Sequence, residues 1–285
     1  MIIWIASYPK SGNTWIRSLI ASYFFTNDGI FNFDLLKNIE QFAPKIPKSI
    51  LSEKTHYQSK VSKSWISTQK EINIDKKIRI FKTHNAMCAI NGNNFTDKYN
   101  TCGVIYIARD PRNIITSISN HYEINNEKSL EFISNKRKII FPIKKGSENK
   151  SDENDFNFLS DWGTHYLSWK NIAFCPVKII KYENLIDDTK NSFISILDFL
   201  SKFMKVDYNE KKISNSINST SFDYVSELEK KTGFDESVLS NKTNKKIKFF
   251  NLGKHNNWKN LLEKKLISKT EKIFANQMKE LGYLY

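Results

Sequence analysis

The chain opens Met1-Ile2-Ile3-Trp4-Ile5-Ala6-Ser7-Tyr8-Pro9-Lys10-Ser11-Gly12-Asn13-Thr14-Trp15-Ile16-Arg17: an apolar run, a polar turn, then an apolar-periodic segment. Ile2 to Ala6 reads as a buried strand. Pro9 has no N–H for a sheet ladder and ends it. Gly12 permits a tight turn, and a helix is predicted from Trp15 to Phe25. Amides at such a turn point at one spot above a positive helix end, a geometry that binds phosphate or sulfate. Lys10 adds a mobile charge. The Walker nucleotide loop instead places lysine after its second glycine, with a hydroxyl held ready for Mg²⁺. Here Lys10 precedes the glycine, and the Trp15 indole stands where the helix opens. Locally, a helix N-cap loop with a solvated lysine has the same look, so the rest of the chain has to decide.

Further apolar, β-branched runs lie at Ile78–Phe81, Val104–Ala108 and Val177–Ile180, with helical patterns at Asn113–His121 and Phe156–Lys170. Alternating strands and helices predict an α/β fold: a central parallel sheet flanked by helices in three layers. Ligands of such sheets bind outside the carboxyl ends of the strands. Those exits read Lys10-Ser11-Gly12, Lys82-Thr83-His84, Arg109-Asp110-Pro111-Arg112 and Lys181-Tyr182-Glu183-Asn184, a basic rim at the ligand edge.

At 285 residues, with no evident linker or repeat, a single domain over 1–285 is expected. Residues from about Glu123 to Asp155 lack clear periodicity and read as a mobile loop, either a lid or a disordered insertion. A polar connection runs from Lys230 to Lys248, and one long amphipathic helix is expected from Leu261 to Leu281. The formal net charge of +14 favours anionic partners, although much of the lysine can be explained as surface solvation. Runs of basic residues interleaved with exposed aromatics are not evident, so no nucleic-acid partner is expected. Cys88, Cys102 and Cys175 are unpaired in spacing and read as free thiols of a reducing compartment. The apolar start is neither a signal peptide nor a span, and no run approaches the roughly 18 apolar residues a span needs. A cytoplasmic protein is expected; oligomeric state is not legible.

Tyr8-Pro9-Lys10-Ser11-Gly12-Asn13-Thr14-Trp15 resembles the 5′-phosphosulfate loop of sulfotransferases that use 3′-phosphoadenosine-5′-phosphosulfate (PAPS). Arg109, with Ser117 following in the helix after it, is similar to that family's 3′-phosphate segment. Lys82-Thr83-His84 is similar to its strand-exit Lys-Thr-His. Tyr182-Glu183 resembles its Tyr-Glu turn, and Thr220-Ser221-Phe222 its adenine-side segment. Gly253 to Asn260 resembles a degraded form of its C-terminal Arg-Lys-Gly-x-x-Gly-Asp-Trp-Lys-Asn signature. The matches occur in family order and span nearly the whole chain.

The resemblance implies a P-loop-like fold and sulfuryl transfer from PAPS to a hydroxyl or amine acceptor, a small alcohol or saccharide, leaving adenosine 3′,5′-bisphosphate (PAP). It implies no metal. Lys10, Lys82 and His84 become the catalytic candidates, with His84 as general base. Ser11, Gly12, Asn13, Thr14 and Trp15 join Lys10 at the 5′ end of the donor, and Arg109 and Ser117 hold its 3′-phosphate. Tyr182, Thr220 and Phe222 join Trp15 on the adenine side, with Asn251 and Gly253 in the C-terminal segment. Each has a plainer reading. His84 can be a packed histidine and Lys82 a solvated strand end; Trp15 and Phe222 can be core, and Arg109 and Ser117 an ordinary helix start. Asn251 departs from the pattern, since the family has arginine there. Lys254, Lys248 and Arg112 are the candidate replacements for its charge. The aromatic stretch Asp161 to Trp169 can line an acceptor pocket or form the buried face of a helix. Two rival readings remain: a P-loop kinase or NTPase, and a catalytically impaired domain of this type that binds acidic ligands.

Overall fold

The computed structural model describes residues 1–42, 57–141, 156–240, 243 and 245–284, the side chains of 57–60 and 254 excepted. Its centre is a parallel sheet of β1 (Ile2–Ser7), β2 (Arg79–Thr83), β3 (Thr101–Ala108) and β4 (Val177–Lys181) in the order β2-β1-β3-β4. In register, Ile5 lies beside Lys82 on one side and Ile105 on the other. Every predicted strand is present.

Side chains alternate across the sheet, as the pleat requires. Trp4, Ala6, Tyr106 and Ala108 face one layer, built mainly by α2 (Tyr57–Ile72), α3 (Pro111–Tyr122), α4 (Asn126–Ser134), α5 (Trp162–Lys170), α11 (Lys264–Ile273) and α12 (Ala275–Glu280). Ile3, Ile5, Ile105 and Ile107 face the other, where α1 (Asn13–Phe25), α6 (Tyr182–Asp187), α7 (Thr189–Leu200) and α8 (Glu210–Ser219) supply the apolar partners. With both faces covered, the strands read as near-continuous apolar runs. Of the remaining helices, α9 (Phe222–Thr232) lies toward the strand exits, and the short α10 (Trp258–Leu261) packs on the start of α3.

Three expectations are corrected. The segment read as a mobile loop from 123 to 155 begins with α4, capped by the Asn125 side chain and fixed by buried Leu130 and Ile133. Ile139–Ile140 then pairs with Asn157–Phe158, and residues 142–155 lie outside the described residues. The helix expected from Phe156 starts at Trp162, because Ser160 takes a left-handed φ of 58° and Asp161 caps the first turn. The helix expected from Leu261 to Leu281 is split into α11 and α12 at Phe274, which leaves helical geometry and packs edge-on against Trp162.

Candidate active site

The four strand exits open on one cavity of about 830 Å³, lined by residues after β1, at the end of β2 and after β3, by Tyr182 after β4, by α3 and by the segments after α8 and α9. Of the site residues anticipated in the sequence, Lys10, Gly12, Asn13, Thr14, Trp15, Lys82, His84, Arg109, Ser117, Tyr182, Thr220, Phe222, Asn251 and Gly253 all line it. Ser11 does not; its side chain is buried just behind the loop. Lys181, the fourth basic exit, turns away onto the Tyr283 ring.

The loop after β1 is held by its own residues. Gly12 has a φ of 99°, and a Cβ there would meet the Tyr182 ring at 2.5 Å. Only glycine allows both the turn and the close approach. Asn13 is an anchor: its Nδ2 donates to the Ile5 carbonyl and to Ser7 Oγ, each at 3.1 Å. Trp15 N–H turns back to the Gly12 carbonyl at 3.1 Å, so the helix rather than a ligand takes that amide. Lys10 adopts a left-handed φ of 66°, a strained conformation of the kind found at functional sites. Its carbonyl accepts from Arg109 Nη1 at 2.7 Å, and its ammonium lies 3.9 Å from the centre of the Phe249 ring. Burial, helped by the nearby Arg109 charge, lowers the Lys10 pKa to about 7.

His84 has a defined tautomer. Its Nδ1 lies 2.7 Å from the Ser7 carbonyl, which can only accept, so Nδ1 carries the hydrogen and Nε2 keeps its lone pair. Burial and the Lys82 charge lower its pKa to about 3. Behind it sits His165, fully buried. Its Nε2 donates to the His84 carbonyl at 3.1 Å, which leaves Nδ1 to accept from the Tyr106 hydroxyl at 2.9 Å. Trp169 Nε1 donates to the next carbonyl, that of Asn85, at 2.8 Å. The stretch Asp161 to Trp169 is therefore the buried face of α5, and its aromatic rings do not line the cavity.

On the far side, the Arg109 guanidinium stacks 4.1 Å from the Tyr182 ring centre, and Trp15 meets the same ring edge-on. Glu183 accepts from the Asp110 amide at 3.0 Å and from the Tyr283 hydroxyl at 2.8 Å. Gly253 packs flat on Phe222, where an added Cβ would lie 2.7 Å from the ring. The Thr220 hydroxyl donates to the Ser216 carbonyl at 2.7 Å. Asn251 Nδ2 donates to Asn120 Oδ1 at 2.9 Å. Of the proposed replacements for its missing charge, Arg112 is fully engaged. It is bonded to Asp110, Glu271 and the Tyr283 carbonyl, and it stacks 3.7 Å from Trp258. Trp258 of the C-terminal signature thus covers an internal arginine. Lys246, rather than Lys248, lines the cavity, and the Lys254 side chain lies outside the described residues.

Glu236 escaped the sequence reading. It lies in the polar connection after α9, where no periodicity or motif marks it, yet it lines the cavity and pairs with both Lys82 and Arg17. The cavity can hold a polyanion with an aromatic ring system. Trp15 Nε1 and Arg109 Nε, on two residues that line it, are buried without a hydrogen-bond partner, as is Ser11 Oγ behind the loop, and a buried donor left unpaired is costly. Of these groups, the Arg109 guanidinium is the one whose charge suits a phosphate.

A family model described as a sulfotransferase domain matches residues 2–282. Cytosolic sulfotransferase 6 of Arabidopsis thaliana is 23% identical over 288 residues, covering 98% of this chain and 78% of that protein. Mouse sulfotransferase SULT7A1, solved in complex with PAP, superposes with a TM-score of 0.55 at 20% identity, over 98% of this chain and 84% of that one. Retinol dehydratase, solved with androsterone and PAP, gives 0.57 at 16% identity, over 98% and 80%. These likenesses support the P-loop-like α/β fold.

Proposed function

The chain belongs to the sulfotransferase-domain family, and on that premise we propose that it transfers a sulfuryl group from PAPS to the hydroxyl or amine of a small-molecule or carbohydrate acceptor. The observation that carries this reading is the meeting of Lys10, Lys82, His84 and Arg109 at one cavity, with unpartnered donors on Ser11, Trp15 and Arg109. The PAP held by the mouse relative supports it. A cytoplasmic setting is part of the same reading, supported by the cytosolic designation of the Arabidopsis relative.

In this reading Arg109 and Ser117 bind the 3′-phosphate, and Trp15, Tyr182, Thr220 and Phe222 bound the adenine. Ser11, Gly12 and Thr14 cradle the 5′ end. The acceptor oxygen attacks sulfur in line as its proton passes to His84 Nε2. The bond from sulfur to the bridging phosphate oxygen breaks, and that oxygen leaves with the electron pair as PAP. Lys10 and Lys82 stabilise the charge that develops there. The reading assigns no metal. It is preferred to the kinase reading because Lys10 precedes Gly12 and no Walker Gly-Lys-Ser/Thr follows β1.

The test is thermal stabilisation by PAP against ADP and adenosine 5′-phosphosulfate, with and without Mg²⁺. A ligand at a hundred times its dissociation constant adds about 2.7 kcal/mol. Stabilisation by PAP without metal is the expected result. Stabilisation by ADP only with Mg²⁺ would overturn the reading, and no response to any ligand would favour the impaired domain.

A further inference from the structure

Glu236 occupies an unusual position for an acid in a site built to hold anions. Its Oε1 accepts from Arg17 Nη1 at 2.6 Å and from Lys82 Nζ at 3.2 Å, and its Oε2 accepts from Thr14 Oγ1 at 3.1 Å. Burial opposes its charge, but the Lys82 and Arg17 cations outweigh that and hold its carboxyl well below the usual carboxylate range. The carboxylate is therefore ionised at any working pH. It presents two oxygens and a negative charge to the cradle hydroxyl and to the β2-exit lysine, much as a sulfate or phosphate edge would.

The three partners are not equivalent. Arg17 is fixed inside the fold: its Nε and Nη2 donate to the Ile39 carbonyl, and Nη2 also to Leu36. Its bond to Glu236 is a charge-assisted anchor on α1. Thr14 and Lys82, in contrast, line the cavity. An acid serving only to neutralise Arg17 would have no need to reach them. On the basis of the PAPS reading, we propose that Glu236 is a working residue of the transfer site, whose carboxylate competes with the donor's 5′ anion for Thr14 Oγ1 and Lys82 Nζ and so sets how tightly the donor is held. When the donor takes those two hydrogens, Glu236 remains on Arg17. The site thus carries an internal anion with one permanent partner and two shared ones.

The test is calorimetric titration of PAP into the wild-type protein, E236Q and E236D. Loss of the negative charge frees Thr14 and Lys82 and removes like-charge repulsion, so E236Q should bind PAP about tenfold more tightly. Glu236→Asp keeps an acid for Arg17 but shortens its reach to Thr14 and Lys82, so it should show a smaller gain in the same direction. It also decides the matter should E236Q fail to fold. Equal or weaker binding in the folded variants, with wild-type binding intact, would overturn this proposal alone; Glu236 would then be a residue that positions Lys82. Absence of PAP binding in all three proteins would overturn the proposal together with the donor reading.

Discussion

The Nε2 hydrogen of His165 is donated to the backbone carbonyl of His84 at 3.1 Å, which locks the exit of β2 to the buried face of α5. Tyr106 on β3 completes the chain through the other ring nitrogen. His165→Ala would strand a buried carbonyl and a buried hydroxyl, at a cost of about 1–3 kcal/mol for each group left unsatisfied. Melting curves should therefore show a clear fall in Tm, with partial rescue in His165→Gln, which can both donate and accept. PAP affinity should hardly move, because His165 does not line the cavity. An unchanged Tm in the alanine variant would contradict this role.

Removing the imidazole of His84 itself should have the opposite profile. With an acceptor identified by screening small alcohols and saccharides, His84→Ala should lower the transfer rate by about 10²–10⁴-fold, the usual contribution of a positioned base. PAP binding should persist. Because burial and Lys82 keep His84 neutral down to about pH 3 in the free protein, its base form should survive mild acid. A transfer rate that falls away with a midpoint at 6.5, the value of an unperturbed histidine, would argue against His84 as the base.

Lys10 sets the alkaline side. Burial first, then Arg109, lowers its pKa to about 7, so its charge is present below that value and lost above it. An anionic ligand favours the protonated form and raises the pKa on binding. PAP affinity should therefore fall as pH rises through 7, and binding above 7 should take up a proton. Calorimetry in buffers of different ionisation enthalpy measures that uptake directly. Lys10→Met should bind more weakly at pH 6 and flatten the dependence; an equally steep profile in the variant would assign the proton to another group.

Asn251 offers a gain-of-function test. Its side chain is exposed, and its amide is bonded to Asn120. Asn251→Arg would place the family's charged fork at the cavity rim, where one charge-assisted hydrogen bond contributes about 1.5–3 kcal/mol. PAP should bind at least about tenfold more tightly, with a steeper loss of affinity at high salt. No change in affinity would mean that residue 251 does not face the 3′-phosphate.

The sheet, its exits and most of the cavity lining were legible because each rests on local chemistry: β-branched runs, Pro9 as a strand end, Gly12 as a turn, cations at the carboxyl edge. Glu236 was not legible, because a single acid in a polar connection becomes meaningful only when the fold brings it against Arg17 and Lys82. α4 was missed for a related reason. Its buried apolar residues, Leu130 and Ile133, are few, and tertiary packing supplies what periodicity did not show. Arg112 misled in the other direction: it was a candidate replacement for the charge missing at Asn251, whereas Asp110, Glu271 and Trp258 hold it inside the fold.

That internal arginine also has a practical side. Arg112 grips the Tyr283 carbonyl, and the Tyr283 hydroxyl in turn grips Glu183, which holds the Asp110 amide next to Arg109. The segment around residue 283 is thus wired to the strand exit beside Arg109, which lines the cavity, through two short chains of bonds. Trimming the chain at 282, or pulling on that segment with a bulky fusion joined closely to it, would disturb ligand binding from a distance. An affinity handle placed there calls for a long, flexible spacer.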